Sequence, residues 1–166
     1  KTRVLTRRIS YLLATGAAEP HEILAITFTN KAACEMRERV VELVNELSPT
    51  HSLRNARSIW VSTFHSACVR ILRGDAAAAG FSSSFSIYDQ SDSKRLIGYV
   101  IRDMGLDAKR FPARGVQARI SLWKNELMSP YDAAAQAENV FDTKYAEVYR
   151  EYQNRLIKAG AMDFDD

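Results

Sequence analysis

One pattern constrains the fold more than any other, and it occurs twice. Ile23–Thr27 ("ILAIT") and Ile59–Phe64 ("IWVSTF") are short apolar runs, each followed by polar residues and then by apolar residues at three- and four-residue spacing. Runs of this length read as strands of a buried parallel sheet, and the spacing after them reads as helix. Met36, Val40, Leu43, Val44 and Leu47 carry the helical spacing after the first run; Ala67, Cys68, Ile71 and Leu72 carry it after the second. Ahead of both, Val4, Leu5, Ile9, Leu12 and Leu13 share a helical face, and Gly16 is placed to end that helix. Residues 48–58, with Pro49, read as a loop. Helix, strand, helix, strand, helix is the order of a doubly wound α/β sheet.

Beyond about residue 75 the pattern changes. Phe85–Tyr88 reads as a short extended piece, and the rest is expected to be helical. Ser91 or Asp92 is expected to cap a helix bearing Leu96, Ile97, Val100, Ile101 and Met104, closed by Gly105. Pro112 and Pro130 stand where first helical turns begin. Tyr145, Tyr149 and Tyr152 line up as the packing face of a long helix. The last residues, "MDFDD", read as the polar start of another helix. The chain starts inside helix-forming sequence, and two strands are too few for a whole α/β sheet. It is therefore expected to be a piece of a larger protein.

Composition narrows the function. Of the 166 residues, 46% are hydrophobic and 26% charged, enough for one or two small cores. No apolar run reaches a membrane span, no signal-peptide pattern opens the chain, and a cytoplasmic protein is expected. Cys34 and Cys68 have no metal-type spacing and are expected to be small reduced core residues. Residues 1–74 carry a net charge of +5 and residues 75–166 a net charge of −2. A mildly basic first part is compatible with a polyanionic partner.

Both strand ends carry candidate chemistry. In "TFTNKA", Phe28 can stack on a nucleic-acid base, while Thr27, Thr29, Asn30 and Lys31 can reach phosphates or base edges. The other reading makes Thr29 or Asn30 a helix cap and folds Phe28 into the core. In "WVSTFHSACVRILR", Ser62, Thr63 and Ser66 can cap the helix or bind phosphate, and His65 can stack or donate. The opening "KT" has the form of the end of a phosphate-binding loop, with Lys1 for phosphate oxygens and the Thr2 hydroxyl for Mg²⁺. No Asp-Glu dipeptide occurs anywhere in the chain, so no Walker B acid pair is present.

Taken in order, these segments resemble the UvrD/PcrA/Rep family of superfamily 1 DNA helicases over the whole length. "KTRVLTRRISYLL" looks like the tail of motif I, "ILAITFTNKAACEMRERV" is similar to motif Ia, and "VSTFHSACVRILR" resembles motif Ib. "FSIYDQSDSKRLI", "ISLWKNELMSP" and "VYREYQNRLIKAGAMDFDD" resemble the helical 1B insertion and the return from it. The resemblance implies an α/β fold: a partial RecA-like P-loop NTPase parallel sheet (domain 1A, residues 1–74), an all-helical 1B subdomain (75–160), and a return to domain 1A at 161–166. It implies ATP and Mg²⁺ as cofactors, with Lys1, Thr2 and Arg3 at the nucleotide and Thr2 on the metal. It implies DNA contacts from Phe28, Thr29, Asn30, Lys31, Thr63 and His65. The implied partners are single-stranded DNA, single-strand/duplex junctions, and repair or replication proteins, in a nucleoid-associated setting. The implied activity of the parent protein is ATP-driven 3′ to 5′ translocation and unwinding, the chain alone being inactive as an ATPase. A helicase–nuclease subunit of the RecB or AddA type and a non-enzymatic single-strand binding module are the two rival readings.

Overall fold

The computed structural model describes residues 2–47 and 58–166. Lys1 and all of the expected 48–58 loop except Ser58 lie outside the described residues. The chain divides into two units, the first ending at Leu72 and the second running from Arg73 to Asp166.

In the first unit, α1 (Thr2–Ala14) is followed by a 3-10 turn (Pro20–Glu22), β1 (Leu24–Thr27), α2 (Asn30–Leu47), β2 (Trp60–Thr63) and most of α3 (Phe64–Gly74), whose last two residues fall in the second. α1 ends as expected at Gly16, whose φ of 68° an L side chain would resist. Its buried face differs from the expected one: Thr6, Ile9, Ser10 and Leu13 turn inward, while Val4 and Leu5 are exposed. Small polar residues hold the inner positions because α1 packs closely on α2. The Ser10 hydroxyl lies 2.8 Å from the Thr6 carbonyl and 3.3 Å from the Val40 carbonyl. Met36, Val40 and Val44 form the inward stripe of α2, joined in the core by Ala25 and Val61. Complete burial of a valine such as Val40 contributes about 1.5–3 kcal/mol.

β1 and β2 pair in parallel, Leu24 opposite Trp60 through Thr27 opposite Thr63. One face of this pair is core. On the other, Leu24 and Ile26 are exposed, so β1 is not buried on both sides. Cys34 is also exposed rather than a core residue, and a hydrogen bond to Glu38 pushes its thiol pKa up.

The second unit contains β3 (Ser86–Tyr88), α4 (Gln90–Asp103), α5 (Ala113–Asn125), α6 (Pro130–Ala135), α7 (Val140–Lys158) and β4 (Ala161–Asp163). Three of its helices, α4, α6 and α7, begin at side-chain caps, whereas α5 begins at Pro112 without one. Asp89, rather than Ser91 or Asp92, caps α4 by accepting from both of their amides. Ser129 and Asp132 form a reciprocal capping box on α6, with Pro130 at its first position. Tyr149 and Tyr152 are buried on the inward face of α7, with Trp123 stacked on Tyr149 at 5.8 Å.

This unit is not all-helical: β3 and β4 form a second parallel pair. β3 falls within the extended piece expected at Phe85–Tyr88, but β4 was not expected: three residues are too short to show a period-two pattern, and the acids after Ala161-Met162 hide it. Residues 162–166 were expected to start a helix, and the structure has the end of a strand there instead, with side-chain bonds that close the turn after it. The Asp163 carboxylate accepts from the Asp165 and Asp166 amides, and the Asp166 carboxylate accepts from the Asp163 amide. That is the bonding of a capping box.

Into this box projects Lys124 of α5. Its ammonium donates to Asp163 at 2.9 Å and to Asp166 at 2.7 Å, with the lysine side chain 4% exposed. Tyr152 donates to the same Asp163 oxygen at 2.7 Å. Burial alone would raise the Asp163 carboxyl, but the Lys124 charge and hydrogen bond, with the Tyr152 hydroxyl, hold it below its ordinary value. Burial and the neighbouring carboxylates push the Tyr152 phenol up, and Tyr149 up to about 12.

Candidate nucleic-acid interface

The parallel register makes one end of the first sheet chemically double. Thr27 and Thr63 are partners across the ladder, so Phe28 and Phe64 leave the same end of adjacent strands. Each chain then enters a helix through a threonine cap. The Thr29 hydroxyl accepts from the Ala32 amide at 3.1 Å, and Thr63 accepts from the Ser66 amide at 3.3 Å while sharing a 2.8 Å contact with the Ser66 hydroxyl.

With Thr29 serving as the cap, Phe28 is not needed in the core and does not enter it. Its side chain is fully exposed, at 103% of the reference surface. Phe64 is 61% exposed, and the His65 ring stands edge-on to it at 5.9 Å and 86°. Asn30 opens α2 in solvent. Lys31 reaches Glu35 only at 3.9 Å with 87% of its side chain exposed, a pairing that leaves its charge in water. Aromatic faces, amides and an ammonium thus gather at the carboxyl end of a parallel sheet, where α/β proteins bind ligands.

Thr29, Asn30, Lys31, Thr63 and His65 therefore share one strand end with Phe28. Thr2 and Arg3 lie in the first turn of α1, a turn without an acidic residue, and both are exposed. An exposed hydroxyl beside the unpaired amides of a 13-residue helix fits the end of a phosphate site. Lys1 lies outside the described residues.

Two residues with structural consequence escaped the sequence reading. Arg37 lies on α2 beside the buried Ala33, Met36 and Val40, and Lys124 follows Val116 and Ile120 at four-residue steps. A charge standing on an otherwise apolar helical stripe was the available signal for both.

The first unit is thus α/β with an aromatic, polar strand end, and the second is mainly helical. The chain belongs to the UvrD/REP helicase N-terminal domain family, which residues 1–166 match. It is 55% identical to the ATP-dependent DNA helicase UvrD1 of Mycobacterium tuberculosis, over 100% of this chain and 21% of that protein. It is 48% identical to the ATP-dependent DNA helicase PcrA of Staphylococcus epidermidis, over 100% of this chain and 22% of that protein. The chain thus spans about a fifth of the length of the curated relatives it matches. Among the described residues no helix is long and apolar enough to cross a membrane, and no group of three or more His, Cys, Asp or Glu is arranged to hold a metal ion.

Proposed function

We propose that this chain is the N-terminal part of an ATP-dependent DNA helicase and that single-stranded DNA lies across the β1–β2 strand end. The observation that carries this reading is the complete exposure of Phe28 beside the Thr63–His65 turn. An exposed phenyl ring is unfavourable in water and useful to a base, because every base offers a π-face. Phe28 stacks a base, Asn30 and Thr29 bond to the backbone or a base edge, Lys31 neutralises phosphate, and Thr63 and His65 continue the track. The first unit is then part of a RecA-like motor domain 1A and the helical unit its 1B subdomain. The similarity to the ATP-dependent DNA helicases UvrD1 and PcrA supports the helicase assignment.

When bound, ATP with Mg²⁺ would supply the free energy of hydrolysis for 3′ to 5′ movement in the parent protein. Lys1, Thr2 and Arg3 are the residues that would hold its phosphates, and the Thr2 hydroxyl would serve the metal. These 166 residues contain no Asp-Glu pair to bind the metal and orient water, so the chain by itself does not turn over ATP. Steady phosphate release that disappears in Lys1→Ala would overturn that statement.

The DNA assignment is tested by fluorescence anisotropy with a labelled thymidine oligonucleotide. Stacking is worth about 1–3 kcal/mol per base, so Phe28→Ala is expected to weaken binding about 5- to 150-fold. A folded Phe28→Ala chain with wild-type affinity removes Phe28 from the DNA path.

A further inference from the structure

Arg37 is the point at which the two halves of the proposed DNA edge are tied together. It lies seven residues, two helical turns, beyond Asn30 on α2. Its guanidinium Nη2 donates to the main-chain carbonyl of Val61 at 2.7 Å. Val61 is two residues before Thr63, and its own amide bonds to the Ile59 carbonyl at 3.1 Å. Both main-chain polar groups of this strand residue are therefore satisfied, one of them by a charged side chain from a helix. The Val61 side chain is buried at 1% exposure, and Arg37 itself is half-buried, so the contact is partly shielded from water. Hydrogen bonds from charged donors to partly buried carbonyls are stronger and more directional than neutral ones.

The strand ladder alone aligns Thr27 with Thr63. It does not fix how α2, and with it Asn30 and Lys31, is set against the second strand. Packing of Met36, Val40 and Val44 is apolar and supplies no directional bond to that strand. The Arg37–Val61 bond is directional, and a displacement of about 1 Å breaks a hydrogen bond. We propose that Arg37 is a positioning residue for DNA: it holds the Phe28–Lys31 turn in register with the Thr63–His65 turn so that one strand engages both at once. The inference rests on the DNA reading above. Its physical content is an effective concentration: once a strand is held at one turn, the second contact is intramolecular only if the second turn is correctly placed.

The test is a nitrogen-15 NMR titration of the whole chain with two probes: a thymidine oligonucleotide of about eight residues, within the usual single-strand site sizes, and a thymidine dinucleotide too short to span both turns. In the wild type the Asn30 and His65 amides are expected to shift with one shared midpoint for the longer probe. In Arg37→Met the two midpoints separate and the longer probe weakens about fivefold or more, while dinucleotide affinity at each turn is unchanged. A merely structural role lowers the folded fraction and weakens both probes equally. That outcome, or a shared and unchanged midpoint in Arg37→Met, overturns the inference. Arg37→Lys keeps a cationic donor and is expected to recover part of the longer probe's affinity. If Arg37→Met gives no folded spectrum, Arg37→Gln takes its place, with the same expectation and the same overturning results. A wild type that shifts with neither probe removes the DNA reading and this inference with it, whereas a wild type with one midpoint and an indifferent Arg37→Met removes this inference alone.

Discussion

The Lys124 ammonium lies 2.9 Å from the Asp163 carboxylate, with 4% and 7% of the two side chains exposed. The pair joins α5 to the last residue of β4 across 39 residues of chain. Buried ions are costly to desolvate, and only mutual pairing makes the site tolerable. Breaking such a site from one side is worse than removing it. Lys124→Met leaves Asp163 and Asp166 facing each other without a counter-charge, at an expected cost of about 3–5 kcal/mol. The triple variant Lys124→Met/Asp163→Asn/Asp166→Asn leaves no charge behind and is expected to cost less than the single change. Urea unfolding of the three chains reads this order directly; a single variant as stable as the wild type contradicts it.

The same cluster sets the response to acid. Burial, the largest single effect on Asp163, would raise its carboxyl, but the charge and hydrogen bond of Lys124, with hydrogen bonds from the Tyr152 hydroxyl and the Asp165 amide, together hold its folded-state pKa below the ordinary 3.8. Its stabilising contribution is therefore complete above that ordinary value and is lost as pH falls through the lower folded-state value. Asp103, held down by hydrogen bonds from Arg155 and Arg102, and Asp132, held down by Ser129, act with the same sign from the surface. In Asp163→Asn, stability is expected to fall less steeply below pH 3.8 than in the wild type. Denaturant midpoints measured at successive acid pH values decide the matter, and equal slopes would falsify it.

Much of this arrangement was legible in the order of residues, and the failures have physical causes. Helix positions followed from apolar spacing and caps, and Gly16 and Gly105 both adopt the left-handed backbone that ends a helix. The fork between Phe28 as core residue and Phe28 as exposed stack was not decidable from spacing. Thr29 could cap α2 in either case, and only the three-dimensional path of the turn shows the ring in solvent. The inward face of α1 was misread because hydrophobicity favoured Val4 and Leu5, whereas close helix packing selected Thr6 and Ser10. β4 was hidden because three residues cannot declare a period. The Lys124 cluster was hidden because its members are distant in the chain and each is unremarkable alone.

Leu127 offers a stabilising change. It occupies the left-handed position just after α5 at φ 56°, where the Leu127 amide bonds to Lys124 and the Met128 amide to Trp123. This is the double bonding of a helix C-terminus that usually holds glycine. The leucine side chain is 92% exposed, so it returns little packing for the strain. Leu127→Gly is expected to stabilise the chain by roughly 0.5–1 kcal/mol, while Leu127→Ala keeps the strain and changes little. Thermal melting of both variants tests this, and a destabilised Leu127→Gly would show that the side chain is held by contacts in solution.

Phe28 separates stability from binding. A fully exposed ring has no core contacts to lose, so Phe28→Ala is expected to shift stability by no more than about 0.5 kcal/mol. The same change is expected to weaken single-stranded DNA binding severalfold or more. Denaturation and anisotropy on one preparation make the comparison. A large loss of stability would mean that the ring packs in solution, and the affinity loss would then carry no information about stacking.

Lys31 separates charge from stacking. Its ion pair with Glu35, at 3.9 Å, is exposed on both sides and is worth little to the fold. If the ammonium meets a phosphate, Lys31→Ala removes one counterion-release event. The slope of log affinity against log salt is then expected to become shallower by about 0.7, the value for one phosphate on a single strand. Phe28→Ala, which removes no charge, is expected to lower affinity at every salt concentration and leave the slope where it was. Anisotropy titrations across a salt series on the two variants distinguish the roles. A slope unchanged in Lys31→Ala would place the ammonium off the DNA backbone, and a slope changed in Phe28→Ala would mean that the ring organises the charged residues around it rather than holding a base.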